Sequence, residues 1–306
     1  MAFNVSNINP FTNETSQELV KKSILTGRTM DVVTIVPGIK YKESLNILEN
    51  TITISAATCG FAGATGDVDF LQRDIEVSPL EVKDQLCPKE LEKYWMGQLM
   101  KPGAPKDMEL GPILAASYVE KIKEQNEFNL WQGEVGGTGA YTLFNGFLEL
   151  AGTTGAIGVT AAAGPHTISD IVAHVNAMVA ATPEDILDKS DLILFMSYGN
   201  FNLYTAALRA ANLYHYDGSV GSDYTTFVPG TNIKVMATKG LSGRPEFLLT
   251  FGANLVVGTD LVNEEEKFDI FYSRDNDEVR VNIQWKLGTQ IYFVDQVVIN
   301  YVTFGS

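Results

Sequence analysis

Residues 50–82 read NTITIS, then AATCGFAGATGDVDF, then LQRDIEVSPLEV. In the first run Ile52 and Ile54 alternate with polar residues, which places both on one face of a strand. The middle run is small and glycine-rich. In the third, Leu71, Ile75 and Val77 are the apolar positions of another strand-like segment. Two strand groups flanking a Gly/Ala tip predict a long hairpin. An isolated two-stranded ribbon is only marginally stable in water, so such a hairpin needs a partner.

Upstream, VVTIVPG (32–38) carries the strand pattern back to Val32. The first forty residues are rich in Asn, Ser and Thr, poor in periodicity, and hold isolated aromatics at Phe3 and Phe11. That composition suits an extended arm lying on something else, interrupted by one or two helical turns over Gln17–Leu25. Downstream, Leu110, Leu114, Tyr118 and Ile122 recur every fourth residue and predict a helix over Lys106–Phe128, with Pro112 in its tolerant first turns. WQGEVGGTGAYTLFNG (131–146) is a glycine-rich connector that ends it.

The middle of the chain predicts a helix from His166 to Ala181, with Thr167 as N-cap and Ile168, Ile171, Val172, Val175, Met178 and Val179 on one face. A short helix restarts at Thr182-Pro183-Glu184-Asp185, Asp191–Ser197 is a buried strand, and Phe201–Leu213 is an amphipathic helix. Together these predict a compact α/β subdomain. The last seventy residues are mostly strands: Glu246–Phe251, Asn254–Gly258 and Glu278–Trp285. A turn at Lys286–Thr289 is expected to return the chain through Gln290–Ile299 as a terminal hairpin.

A chain of 306 residues with 45% hydrophobic content can bury a sizeable core, in one elaborated domain or two packed ones. No run of eighteen apolar residues and no secretory pattern at the start are present, so the product is expected in the cytosol. Cys59 and Cys87 have neither metal nor redox spacing and read as free thiols. A net charge of -15, from 37 acidic against 22 basic side chains, argues against holding nucleic acid by phosphate neutralisation.

The search for chemistry returns little. His166, His174 and His215 lack metal-like spacing and read as structural or solvated. Gly133, Gly136, Gly137 and Gly139 miss the phosphate-loop pattern, and a flexible hinge fits better. Ser197, between strand and helix, has Gly199 where a nucleophile elbow needs one but Phe195 in place of the other glycine. The acidic run at 263–267 offers oxygen ligands for a cation, but a solvated turn is the better reading. No cofactor, metal or catalytic residue is expected.

The order of arm, hairpin, long helix, α/β subdomain and terminal strands resembles the major capsid proteins of tailed bacteriophages, the HK97-like group. The closing segments GANLVVGTDL (252–261), NEEEKF (263–268) and VRVNIQWKLGTQIYF (279–293) look like the end of such subunits. The resemblance implies an α+β HK97-like capsid fold. Its parts would be an N-terminal arm (1–30), an E-loop hairpin region (31–95), a peripheral domain with a long spine helix (96–135 and 265–306) and an axial α/β domain (136–264). It further implies a structural protein, not an enzyme, that assembles as hexamers and pentamers into an icosahedral shell around double-stranded DNA, made in the bacterial cytoplasm and located in the virion capsid. Scaffolding, portal and decoration proteins are the implied partners beside other copies of the chain, with no membrane.

Subunit contacts are expected at Phe3 and Phe11 in the arm, at Ile52, Ile54, Phe61 and Phe70 in the hairpin, and at Leu110 and Tyr118 on the spine helix. Some members cross-link subunits; Lys40, Lys42 and Lys83 fall in the hairpin region, but nothing pairs them with a particular Asn and no cross-link is predicted. A separate scaffolding protein and no large cleaved propeptide are expected. Two alternatives share parts of the pattern: an encapsulin-like compartment shell, and an α/β hydrolase-like enzyme using Ser197.

Overall fold

The computed structural model describes residues 27–52, 54, 66–87, 110–160, 165–211, 224–260, 267–276 and 278–301. At its centre lies a 14-residue strand, β12 (Glu278–Ile291), with Val279, Val281, Ile283, Trp285 and Leu287 buried and the residues between them partly exposed. Such alternation gives a strand one face in the core and one toward water. Along one edge β12 pairs antiparallel with β4 (Ser78–Leu86), from Val279 opposite Leu86 to Leu287 opposite Ser78. Along the other it pairs antiparallel first with β11 (Lys267–Ser273), then with β10 (Leu255–Thr259). Strand β1 (Thr34–Pro37) completes this five-stranded sheet by running parallel to β10.

The turn expected at Lys286–Thr289 is not there. Leu287, Gly288 and Thr289 stand opposite Thr259, Gly258 and Val257, and the strand runs straight through them. The glycine serves a close approach instead: a Cβ on Gly288 would lie 2.0 Å from the carbonyl oxygen of Glu76. No terminal hairpin follows. The chain passes a 3-10 turn at Val294–Gln296, and β13 (Val298–Tyr301) enters a second sheet.

Helix α1 is described over Leu110–Gln132 and ends four residues later than its sequence pattern predicts; residues 106–109 of the expected start lie outside the described residues. Its Ala115, Val119, Ile122, Leu130 and Trp131 share one core cluster with the buried side chains of β12. Leu114 and Tyr118 are only half-buried beside that stripe. The reason is the period: steps of four overshoot a 3.6-residue turn by about 40° each, so the row Leu114, Tyr118, Ile122 spirals from the flank into the core. After α1 the connector is a closed loop, in contrast to the flexible hinge expected there. The Gly146 N–H donates to Gly133 O at 2.8 Å, and a Cβ on Gly133 would meet Phe144 O at 2.3 Å, so two glycines pinch its neck.

Helix α2 (Phe147–Thr153) follows, and then the second sheet, ordered β5 (Ile157–Thr160), β13, β9 (Leu248–Phe251), β6 (Leu192–Ser197), β8 (Lys234–Thr238) and β7 (Thr225–Phe227). Every residue of β6 is buried, because both faces of this sheet are covered. Ile193, Phe195, Leu248 and Ile299 face the core shared with α1 and α2. Leu192, Leu194, Met196 and Leu249 face α3 (Ile171–Ala181) and α5 (Tyr198–Ala210). Trp131 joins the two halves, edge-on to Phe147 at 5.5 Å and tilted on Phe195 at 5.0 Å.

Local starts differ from expectation in instructive ways. Helix α3 begins at Ile171, with Asp170 at the N-cap position, because residues 168–170 form turns. Thr167 still organises the start: its carbonyl accepts the Ile171 N–H, and its own N–H donates to Asp170 Oδ1 at 2.7 Å. Thr182 closes α3 through its hydroxyl, which donates to Met178 O, while Pro183 takes the N-cap position of α4 (Glu184–Leu187).

Candidate assembly surface

Strands β2 (Lys42–Ile52) and β3 (Gly66–Glu76) form the hairpin, in register from Lys42 opposite Glu76 to Ile52 opposite Gly66. Directly paired residues share a face. Leu45, Ile47 and Ile75 lie on one face and are buried; Leu45 and Ile75 cluster with Ile39, Val77 and Val256 of the body. The base is also tied by Gln290 Nε2 donating to Asp74 O at 2.6 Å and by the passage of Glu76 over Gly288.

The opposite face carries Leu48 across from Phe70, with Ile52 farther out. These are 54%, 80% and 78% exposed, and Ile54 beyond the strand is 95% exposed. Ile52 and Ile54, expected on one face, are both exposed, and Thr53 between them lies outside the described residues. Near the base this face turns polar: Lys42 pairs with Asp74 at 2.8 Å, and the Ser44 hydroxyl donates to the same carboxylate. Those hydrogen bonds, Lys42 first, hold the Asp74 carboxyl below its ordinary range. A polar base with an apolar outer half is the pattern of a surface that meets another protein, since soluble monomers seldom leave apolar side chains clustered in water. Phe3, Phe11, Phe61 and the hairpin tip lie outside the described residues.

On α1, Tyr118 is already engaged within the chain: its hydroxyl donates to Asp84 Oδ2 of β4 at 2.5 Å. Burial first, and Asp84 second, push the phenol above its ordinary value. Leu110 opens the helix, and the contact expected of its side chain lies outside the described residues. At Thr29, near the first of the described residues, Trp131 Nε1 donates to Thr29 Oγ1 at 2.8 Å, and that hydroxyl donates to Glu127 Oε1. Burial raises the Glu127 carboxyl against the opposing pull of the two Thr29 hydrogen bonds. This buried relay ties Thr29 to helix α1.

Ser197 sits in ordinary extended backbone (φ -71°, ψ 158°) and uses its hydroxyl as the N-cap of α5, accepting the Asn200 N–H at 3.2 Å. Cys87 is an exposed free thiol; Cys59, His215 and residues 263–266 lie outside the described residues. The histidines depart from expectation. His166 and His174, read as unrelated, stand with their Nδ1 atoms 3.0 Å apart, and Asp170 joins them. The signal was a spacing of four and four, which a turn leading into a helix stacks on one side.

No protein-family model and no curated protein matches the sequence. Solved structures do match, over nearly the whole chain. A chain from the satellite phage P4 procapsid including size determination (Sid) protein superposes with a TM-score of 0.65 at 12% identity, covering 96% of this chain and 91% of that one. The capsid of an empty GTA particle gives 0.58 at 12% identity over 91% and 89%. The cyanophage A-1(L) capsid gives 0.54 at 13% identity over 92% of both chains. With identity this low the likeness lies in the path of the backbone, and the chain has the mixed α+β fold of phage capsid subunits.

Proposed function

We propose that the chain is the major capsid protein of a tailed bacteriophage, assembling as hexamers and pentamers into an icosahedral shell that encloses double-stranded DNA. The observation that carries this reading is the outer face of the hairpin, Leu48, Ile52, Ile54 and Phe70, exposed in a chain that matches capsid subunits over nearly its whole length. In an HK97-like shell the hairpin acts as the E-loop and lies over the spine helix and peripheral domain of a neighbour, which removes that face from water. The five-stranded sheet with α1 serves as the peripheral domain and the six-stranded sheet as the axial domain. Residues 1–30 act as the arm, whose last residues, Thr29 and Met30, are buried in the body. Phe3, Phe11 and Phe61 would add contacts there and at the tip, and Leu110 and Tyr118 contacts along the spine helix.

The acidic balance, -15 for the chain, suits a container filled by a motor rather than one that condenses DNA with basic tails. Scaffolding, portal and decoration proteins would complete the particle. No role in this scheme requires an active site, and Ser197 serves as a helix cap. The test is negative-stain electron microscopy with sedimentation of the purified chain, alone and with neighbouring phage genes. Closed shells, tubes or capsomer rings are expected; a monomer or small dimer under every condition overturns the proposal.

A further inference from the structure

The turn preceding α3 and the start of that helix bring His166, Asp170 and His174 together, with one donor atom from each within 4.8 Å of the others. Two imidazoles and one carboxylate form a donor set suited to zinc, cobalt or nickel, whereas calcium and magnesium prefer oxygen ligands. Two nitrogens bound to one zinc at about 2.0–2.1 Å in tetrahedral geometry stand roughly 3.3 Å apart. The observed Nδ1 separation of 3.0 Å is within a small ring rotation of that value.

The tautomer of His166 is set by its other nitrogen. Nε2 lies 2.8 Å from Pro245 O, and a carbonyl can only accept, so Nε2 carries the proton and Nδ1 presents a lone pair to the cluster. Asn300 Nδ2 also approaches Nε2, at a longer 3.4 Å. A backbone carbonyl behind a ligating imidazole is how proteins orient metal-binding histidines. Phe247 stacks on the His166 ring at 4.5 Å and fixes its plane. The Thr167 N–H, donating to Asp170 Oδ1, holds the carboxylate in the same way.

His166 is buried, Asp170 and His174 are half-exposed, and Thr167, Ile168 and Ser169 lie open to water, so an ion can enter from that side.

We propose that His166, Asp170 and His174 bind one divalent transition-metal ion of the zinc class, with water completing the coordination. The ion ties the segment entering α3 to the helix itself and, through Pro245, to the loop before β9. It stiffens the six-stranded half of the molecule whether or not the chain forms shells.

The experiment uses the full-length chain without a purification tag, stripped with chelator. Zinc is titrated by calorimetry and cobalt by visible absorption, with and without excess magnesium. One zinc per chain, a tetrahedral cobalt spectrum and indifference to magnesium are expected. His174→Ala and Asp170→Asn alter partly exposed positions and should each weaken zinc binding by at least about 100-fold, beyond what loss of a supporting contact causes. Their thermal unfolding in chelator should match that of the parent, which shows that the fold survives. No zinc binding by the parent chain, unchanged affinity in His174→Ala, or displacement of zinc by magnesium overturns the proposal.

Discussion

Strand β12 and the β2–β3 hairpin use the same device, long alternation of apolar and polar side chains, with opposite results. In β12 each buried position from Val279 to Leu287 has partners inside the chain, because sheet neighbours and α1 cover it. In the hairpin the same period buries Leu45, Ile47 and Ile75 near the base but leaves Leu48, Ile52 and Phe70 exposed on the other face. Alternation thus tells which side chains share a face and not what covers that face. The difference separates residues that fold the subunit from residues available to a second one.

The sharpest break in the comparison is expected from Ile283→Ala. Ile283 is fully buried in the main core, and truncating such a side chain costs about 2–5 kcal/mol. Denaturant unfolding of unassembled subunits should show it, with assembly lost only because the subunit is lost. A change under 1 kcal/mol would mean that the sheet repacks and that β12 does not organise the core.

Gly288→Ala comes next and acts where the two regions touch. Its methyl group would press on the backbone of Glu76, which has no flexible end to move aside. Overpacking of this kind costs about 1–3 kcal/mol. It should also raise protease sensitivity along β2 and β3, as the hairpin base lifts from β12. Unchanged proteolysis would show that the body yields instead of the hairpin.

The same residue explains what the sequence hid. Lys286-Leu-Gly-Thr289 has the composition of a turn, and the reason for its glycine lies more than two hundred residues away at Glu76. The presence of a hairpin, the apolar run Leu192–Ser197 and the face of α3 were legible because period and length are local properties. The hairpin's bounds were not, since its pairing begins at Lys42 opposite Glu76 and the rest of the third run falls in Ser78–Leu86, which pairs with β12 instead. The crossing of Val298–Tyr301 into the second sheet, paired with β5 and β9, was not, since nothing local selects the partner. At the candidate surface, exposure of Ile52 and Ile54 followed from alternation and an unpartnered ribbon. The intramolecular bond from Tyr118 to Asp84 required the register of β4. The His166 cluster depends on a carbonyl 79 residues away, and the spacing of the histidines alone leaves His166 and His174 separate.

A pH-dependent test probes the relay at the edge of the body. Burial raises the Glu127 carboxyl above its ordinary 4.5, with Asp31 adding to the rise and Thr29 and Lys123 opposing it. The folded state then holds the proton more tightly than the unfolded state. Stability from this group is complete below pH 4.5 and is lost as pH rises through the folded value. Glu127→Gln keeps an acceptor for Thr29 and cannot ionise. Relative to the parent it should gain stability as pH rises from 4 toward 7, by about 1.4 kcal/mol for each unit by which the carboxyl is raised. A constant difference across that range would show Glu127 ionised at little cost, and the relay would be an ordinary exposed contact.

The smallest effect on folding is expected where the effect on assembly is greatest. Phe70→Asp replaces an 80% exposed ring opposite Leu48, so the subunit loses no buried contact and its unfolding free energy should shift by no more than about 0.5 kcal/mol. On a face that docks on a neighbour, the same change buries a carboxylate without a partner, which costs several kcal/mol at every copy of the interface. Sedimentation should therefore show folded subunits and no shells. Phe70→Leu, which keeps an apolar surface, should assemble. If Phe70→Asp forms shells as readily as the parent chain, the exposed face is not an interface. Burial inside the subunit would then account for everything this hairpin does, and its alternation would carry no information beyond that of β12.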